Sequence, residues 1–142
     1  MRRSALFLLP AATAMTAVSL LSGPAYAGSP HLVNSATSVS RSGNTLTVSG
    51  REAGLGDEAQ VHVVLSTTAL CINGGGSHPK AVNKEFLNSA DDFPVQNGKA
   101  DLSLSVTAAF QPSCSPPMTV SFINIMLTDT TNNISVSVPG TF

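Results

Sequence analysis

The sequence predicts an antiparallel β-sandwich of immunoglobulin-like type, and three observations support this fold class. Apolar and polar residues alternate with a period of two along most of residues 28–142. Turn-forming residues divide this stretch into about seven short runs, the number typical of such sandwiches. The chain contains two cysteines, enough for one disulfide. No segment shows a sustained 3.6-residue period, so we expect no helix.

Residues 1–27 have the three parts of a secretory signal. Met1-Arg2-Arg3 is basic, residues 5–21 are apolar, and Ala25-Tyr26-Ala27 places small residues at the −3 and −1 positions of a cleavage site. The apolar run is rich in Ala and Thr and contains Pro10, so it is a poor membrane span. We expect cleavage after Ala27, no membrane anchor, and an extracellular single domain comprising residues 28–142.

The first half of the mature chain predicts three strands. Residues 35–40 form a weak first strand, and Gly43-Asn44 turns the chain into a second strand over residues 45–49. Residues 53–58 are rich in Gly and acidic residues and predict a loop. A third strand is expected over residues 59–67, with Ala59, Val61, Val63 and Leu65 on the inner face and His62 on the outer face.

The second half predicts further strands around a strong turn signal. Residues 84–87 are compatible with either a short strand or one helical turn. Asn97-Gly98 predicts a hairpin between residues 93–96 and a strand over residues 99–107. In residues 118–128 the alternation breaks near Phe122, which indicates either a β-bulge or a strand covered on both faces. A last strand is expected over residues 133–138.

Two irregular stretches contain the cysteines. Cys71 lies in residues 70–82, a stretch with Gly74-Gly75-Gly76, and Cys114 lies in the proline-rich residues 110–117. An even cysteine count in a secreted chain favours a disulfide between Cys71 and Cys114. Reduced thiols and a metal pair are the alternatives, but the chain has no further ligands at metal-binding spacing. We expect a staple between two loops at one end of the sandwich, and no metal.

Composition argues against several classes of function. Cleavage removes Arg2 and Arg3, which changes the formal net charge from −1 to −3 and disfavours binding to nucleic acid. The chain has no Trp, and its one Tyr lies in the signal. The Phe residues that remain are expected in the core, which disfavours a stacking surface for sugars or bases.

The sequence has no catalytic signature. The three histidines are His31, His62 and His78. No G-x-S-x-G motif positions a nucleophile, and the adjacent Ser77 and His78 do not by themselves make a nucleophile–base pair. The acidic residues near Gly54, at Asp91-Asp92 and at Asp129 are best explained as turn residues, since no calcium-loop pattern is present. We therefore expect a protein that is not an enzyme and that needs no cofactor.

A disulfide would bring the two irregular stretches together, and long loops on a rigid sandwich are where binding often occurs. The candidate binding residues at this end are Asn73, His78, Lys80, Gln111 and Met118. The alternative, which the sequence leaves equally open, is that the disulfide only restrains two flexible loops.

Some of these stretches resemble known proteins. Leu70-Cys71-Ile72-Asn73, residues 97–106 and the Pro-rich stretch around Cys114 resemble small secreted proteins of Gram-positive, actinobacterial type, which have no assigned activity. The size, the signal and the β-pattern are similar to enediyne-chromophore apoproteins of the neocarzinostatin type. Those proteins are immunoglobulin-like sandwiches that hold a hydrophobic ligand in a cleft. They carry two disulfides, however, whereas this chain can form only one.

Together these observations predict a secreted, monomeric binding or interaction module with an unknown protein or small-molecule ligand. The alternative is a carrier of a small hydrophobic molecule such as a chromophore. A carrier needs a concave apolar cleft of several hundred Å³. A surface binder needs an exposed apolar patch or a rigid loop end.

Overall fold

A computed structural model describes residues 28–73 and 83–142 of the chain, which form eight β-strands and one 3₁₀ turn, Asn34–Ala36. The strands are β1 (His31–Leu32), β2 (Ser38–Ser42), β3 (Thr45–Ala53), β4 (Gln60–Ile72), β5 (Lys84–Pro94), β6 (Lys99–Thr107), β7 (Thr119–Asp129) and β8 (Ile134–Val138). Within these residues there is no helix long and apolar enough to cross a membrane.

Sheet A is built around β3. On one side β3 pairs with β6 from Thr45–Thr107 to Ala53–Lys99, and on the other side it pairs first with β2 and then with β1. The 3₁₀ turn separates β1 from β2, so these two short strands form one interrupted edge of the sheet. The predicted first strand therefore begins later than expected, at Ser38.

Sheet B has the order β5-β4-β7-β8, and all its pairs are antiparallel. Strands β1 to β3 lie in sheet A, and the chain then crosses to sheet B for β4 and β5. It crosses back to sheet A for β6 and ends in sheet B with β7 and β8. Two antiparallel sheets connected in this way form the predicted immunoglobulin-like β-sandwich, which is confirmed. It has eight strands rather than about seven because the first strand is interrupted.

The core lies between the sheets and consists of the inward-facing residues of both. Burying each Leu, Val or Phe side chain stabilises the fold by roughly 2 kcal/mol. The largest of the fully buried apolar side chains are Leu46, Val48, Val61, Val63, Leu65, Phe122, Ile125 and Leu127. Ala59, predicted to face inward, is instead exposed and lies just before β4.

Three strands are longer than the sequence predicted: β3, which continues to Ala53 rather than ending at residue 49, and β4 and β5. β4 continues to Ile72, so residues 70–72 are strand and not loop. It continues because β5 and β7 flank it on both sides, with pairs at Leu70–Lys84 and Ile72–Thr119. The undecided residues 84–87 are the start of β5.

The broken alternation in β7 is a β-bulge. Ser66 of β4 pairs with Met126 but Thr68 pairs with Ile123, so β7 contains one extra residue, and Asn124 has a φ of 52°. In a regular strand, residues three positions apart point to opposite faces of the sheet. The bulge adds one residue, so that Phe122 and Ile125 both point into the core. Ile123, which was expected to share a face with Ile125, points the other way and is half-buried.

The Asn97-Gly98 turn forms, but the strands beside it separate. Asn97 and Gly98 have φ angles of 53° and 72°, and Gln96 and Lys99 exchange two backbone hydrogen bonds of 2.8 and 3.0 Å. Beyond this pair β5 enters sheet B and β6 enters sheet A. The predicted turn is confirmed, whereas the predicted hairpin is a connection between sheets.

Candidate functional site

The predicted disulfide joins Cys71 to Cys114, with an S–S distance of 2.03 Å and a Cα–Cα distance of 5.7 Å. Cys71 is buried near the end of β4, opposite Val120 of β7, and Cys114 lies in the irregular segment between β6 and β7. The bridge therefore fastens this segment to the end of sheet B. This agrees with the expected staple, although Cys71 lies within a strand rather than in a loop.

The candidate binding residues at the disulfide end have different environments. Asn73 and Gln111 are exposed. Met118 is half-buried, and its Sδ lies 3.7 Å from the Cys71 Sγ, so its side chain packs on the bridge. His78 and Lys80 lie outside the described residues. Met118 thus contacts the bridge, and ligand binding by these residues stays a prediction.

An apolar cleft lies at the side of the sandwich, between the edge of sheet A and the edge of sheet B. We call it the lateral cleft, and its volume is about 490 Å³. Its lining residues are Asn34, Thr37, Val39, Val136, Ser137, Val138, Pro139 and Phe142. The 3₁₀ turn and β2 contribute one wall, and β8 with the residues after it contributes the other.

The cleft is apolar because its valines continue the inward-facing pattern to the edge of each sheet. Val39 is paired with the core residue Val48, and Val136 and Val138 are paired with Leu127 and Ile125. At the edges these side chains are only half-buried, because no further strand lies beside β2 or β8 in the part of the chain that the structure describes. The apolar surface left uncovered there lines the cleft.

Two contacts fix the side of the sandwich near the disulfide end. The Arg41 guanidinium on β2 donates a hydrogen bond to the Val120 carbonyl on β7, which joins the sheets. Phe142 exchanges backbone hydrogen bonds of 2.7 and 3.1 Å with Phe122. The Phe142 ring packs on Gly140, where a Cβ would come within 2.7 Å of the ring, so Gly140 allows the ring to lie against the cleft.

A second apolar feature is the outer face of sheet B. Phe86 on β5 is 85% exposed and Met126 on β7 is 41% exposed. Phe86 is paired with Thr68, and Thr68 with Ile123, so these three residues form a row across the sheet. The expectation that the mature Phe residues lie in the core is therefore wrong for Phe86. An exposed aromatic side chain on an open sheet face is a candidate contact surface.

Two buried acids lie at the end of the sandwich away from the disulfide. Glu52 of β3 is 0% exposed and Asp129 of β7 is 1% exposed. Asp129 accepts hydrogen bonds from the backbone N–H of Thr131 at 2.7 Å and from the Asn132 side chain at 2.8 Å. Burial is the main cause that raises the pKa of Glu52 to about 8, and the nearby acids Asp129 and Glu58 raise it further. Asp129, interpreted from sequence as a turn residue, ends a strand and faces the core.

Two pairs of ionisable side chains lie at the surface. The Arg51 guanidinium lies 2.6 Å from Asp101, and this hydrogen bond lowers the pKa of the Asp101 carboxyl. Both side chains border a polar hollow of about 380 Å³ beside the Asn97-Gly98 turn. His62 faces outward, as predicted, with its Nδ1 2.7 Å from Asp92.

No protein-family model, curated protein or solved structure matches this chain. The resemblances to actinobacterial-type secreted proteins and to neocarzinostatin-type apoproteins therefore stay predictions. The lateral cleft is the feature of the molecule that bears most directly on its function.

Sequence reasoning missed the residues of the lateral cleft and the buried acids. The acids had a usable signal: the even-numbered inward series Leu46, Val48 and Gly50 of β3 leads to Glu52, and Ile125 and Leu127 of β7 lead to Asp129. Extending each strand by a few residues would have placed both acids inside. The cleft had no local signal, because it depends on how two separate edges meet.

Proposed function

We propose that this protein is a secreted, non-enzymatic binding module that holds a small apolar molecule in the lateral cleft. The observation that supports this proposal is a cleft of about 490 Å³ with an apolar lining that includes Val39, Val136 and Phe142. Small-molecule sites typically measure about 300–1,000 Å³ and are mostly apolar. The carrier function that the sequence suggested as an alternative is therefore the one that the geometry supports best.

The chemistry of the lining indicates the class of ligand. Among the described residues that line the cleft, none has an Asp, Glu, His, Lys, Arg or Cys side chain, so these side chains offer a ligand no charge and no acid or base. Asn34 and Ser137 add polar groups at the rim, while the Thr37 hydroxyl is already bonded to the Val33 carbonyl at 3.2 Å. We expect a neutral ligand with one or a few rings and few polar atoms.

The proposal is tested by titrating the purified protein with N-phenyl-1-naphthylamine, a neutral apolar fluorophore. Wild type should bind it with saturable fluorescence enhancement. The double substitution Val39→Thr and Val136→Thr keeps the shape of the cleft but adds two hydroxyl groups, each costing roughly 1 kcal/mol in an apolar site. The double variant should therefore bind at least about tenfold more weakly.

The matched control is Phe86→Ser, which changes the outer face of sheet B and leaves the lateral cleft intact. It should bind the fluorophore like wild type. If Phe86→Ser weakens binding and the double threonine variant does not, the fluorophore binds the outer face and the proposed site is wrong. Native mass spectrometry of protein secreted by its own source would then show whether a natural ligand of extra mass is carried.

A second candidate function is an interaction module for a protein partner, and the 85% exposure of Phe86 favours it. The partner would present an apolar surface to Phe86 and Met126 on the outer face of sheet B. The same two variants separate this function from the first. Loss of partner binding in Phe86→Ser, with the double threonine variant unaffected, would support the interaction module.

A further inference from the structure

A smaller hollow, of about 300 Å³, lies on the outer face of sheet B. Phe86 of β5 and Asn124 of β7 contribute to its lining, and Ser66 and Thr68 of the intervening strand β4 also line it. We call it the bulge hollow, because Asn124 belongs to the β-bulge of β7. Among the described residues, none lines both this hollow and the lateral cleft. An inference about the bulge hollow therefore does not rest on the proposed function of the cleft.

The bulge hollow has a floor and a wall of different heights. Phe86 and Ile123 are the cross-strand neighbours of Thr68 on its two sides. Neighbouring strands lie about 4.8 Å apart, so β5 and β7 are roughly 10 Å apart across Thr68. Thr68 is only 6% exposed, whereas the exposure of Phe86 is 85%. Thr68 therefore lies low between the two outer strands, and the Phe86 ring projects beside it as a wall.

The β-bulge supplies a carboxamide on the side of the hollow away from Phe86. It inserts Asn124 between Ile123 and Ile125, and the φ of Asn124 is 52°. A glycine would adopt this backbone conformation at least as easily, so the backbone alone does not require an asparagine. The Asn124 side chain is exposed and borders the hollow. Bulges commonly redirect a side chain next to a functional site.

The remaining polar groups of the hollow are neutral. Asn88 follows Phe86 by two residues, so the two side chains share a face about 6.8 Å apart, and Asn88 is paired with Ser66. The Thr67 hydroxyl is already used, since it donates to the Ile123 carbonyl at 2.8 Å. Among the described residues that line the hollow, none has an ionisable side chain. A charged ligand would therefore find no counter-charge there, whereas a neutral polar ligand would.

An aromatic ring beside carboxamides and hydroxyls matches the chemistry of a sugar. The face of an aromatic ring carries partial negative charge and attracts C–H hydrogens. The two faces of a pyranose ring with equatorial substituents expose such C–H bonds, and its edge carries hydroxyls. Carboxamides and hydroxyls both donate and accept hydrogen bonds, as sugar hydroxyls do. The hollow thus combines a stacking surface with hydrogen-bonding groups around it.

We propose that the bulge hollow binds one pyranose ring of a cellulose or chitin chain, stacked on Phe86 and hydrogen-bonded by Asn88 and Asn124. Both polysaccharides consist of rings whose substituents are equatorial, and both are uncharged. The volume of the hollow is at the lower end of the range for small-molecule sites, which suits one ring. One ring buries little area, so we expect binding in the millimolar range.

A protein partner with an apolar surface is the competing occupant of this face. Composition argued against a sugar because the Phe residues were expected in the core, and the exposure of Phe86 removes that argument. An apolar surface seated on Phe86 would cover Asn88, Asn124 and Ser66 without offering them hydrogen bonds, which is unfavourable. A sugar offers these groups hydroxyls. The lining of the hollow therefore favours a sugar.

The test titrates the purified protein with cellohexaose and with chitohexaose and records two-dimensional amide NMR spectra. The backbone signals of residues 66–68, 86–88 and 123–125 should shift in a saturable way. The side-chain amide signals of Asn88 and Asn124 should shift with them. Sorbitol, which has hydroxyls but no ring face, should cause no such shifts. Binding of either oligosaccharide supports the inference, and the stronger one identifies the polysaccharide.

Four variants assign the binding to the hollow. Phe86→Ser should weaken binding at least tenfold, whereas Phe86→Tyr keeps an aromatic face and should bind within about twofold of wild type. Asn124→Gly keeps the backbone conformation and removes the carboxamide, so it should bind several-fold more weakly. The double substitution Val39→Thr and Val136→Thr changes only the lateral cleft and should bind the sugar like wild type. The dispersion of each amide spectrum verifies that the variant is folded.

Three results would overturn the inference. One is the absence of shifts with both oligosaccharides at millimolar concentration. Another is full sugar binding by Phe86→Ser. The third is that N-phenyl-1-naphthylamine, and neither sugar, shifts the signals around Phe86, since the face would then be an apolar contact surface for a protein. If the fluorophore fails to bind in the lateral cleft while the sugar binds, the proposed function is wrong and the sugar site is supported.

Discussion

At the scale of single residues, Glu52 has the environment least like the one that its side chain has in water. It is fully buried, other acids lie near it, and burial is the main reason that its pKa is raised to about 8. In the unfolded chain the same carboxyl has an ordinary pKa of about 4.5. Between these two values the folded protein binds a proton that the unfolded chain has released.

This difference predicts a pH dependence of stability. Because the folded state binds more protons between about pH 4.5 and pH 8, the free energy of unfolding should decrease as pH rises through this window and level off above it. The slope from one such group is at most about 1.4 kcal/mol per pH unit. Urea unfolding at pH 5, 6, 7, 8 and 9 measures this slope directly.

Glu52→Gln is the control for the pH dependence, since glutamine does not titrate. Its free energy of unfolding should be nearly flat over the same range and should exceed that of wild type at pH 8 and above. The lowered pKa of Asp101 acts only at lower pH, where its hydrogen bond to Arg51 is lost. A wild-type stability that rises between pH 5 and pH 8 would contradict the assignment of the proton to Glu52.

At the scale of elements, the clearest strand in the sequence is β6 and the least clear is β5. β6 begins and ends where the alternation predicted, at Lys99 and Thr107, because its inner face carries only apolar residues. On β5 the inner positions include Glu85 and Ser89 as well as Leu87 and Phe93. Glu85 is accommodated at the sheet edge, where it accepts a hydrogen bond from the Ala109 backbone N–H. Because the inner face of β5 is not uniformly apolar, the strand forms through its pairing with β4.

The loop after β3 contains a glycine that two independent factors require. Gly54 has a φ of 77°, and a Cβ there would collide with the backbone carbonyl oxygens of Gly28 and Ser29. Gly54→Ala should therefore lower the free energy of unfolding by about 2 kcal/mol or more, the sum of backbone strain and collision. Thermal and urea unfolding of the variant measure the loss.

Gly43→Ala is the matched control for Gly54→Ala. Gly43 has a similar φ of 57°, but a Cβ there would meet nothing within 4 Å. Only the backbone cost of about 1–2 kcal/mol should be seen at this position. Equal losses at the two glycines would show that the N-terminal residues do not pack on Gly54 as described.

At the scale of the whole molecule, the sequence was sufficient to predict the sandwich and its disulfide, but not the lateral cleft. The strands could be predicted because the alternation of apolar and polar residues is a local pattern. The disulfide could be predicted because two cysteines allow only one intrachain pair. The cleft brings Val39 close to Val136, nearly a hundred positions away, and its width depends on how two unpaired edges approach. The alternation of residues within a strand does not predict the distance between two strand edges.

The disulfide should supply a large share of the stability of the fold. Cys71 and Cys114 are 43 residues apart, and a loop of this length stabilises the folded state by about 4 kcal/mol on the chain-entropy model. The double variant Cys71→Ser and Cys114→Ser, which leaves no single thiol, should lose most of this amount in urea unfolding. A loss below about 1 kcal/mol would mean that the bridge does not restrain the unfolded chain as this model assumes.

The same bridge limits how far the molecule can be extended by force. β5 and β6 both lie between Cys71 and Cys114, so tension applied at the two ends of the chain passes through the disulfide and bypasses these strands. The segment between the two cysteines, whose sequence separation is 43, would otherwise add about 150 Å of extended chain. Under a force that unfolds the domain, the oxidised chain should therefore extend less than the reduced chain by about that amount.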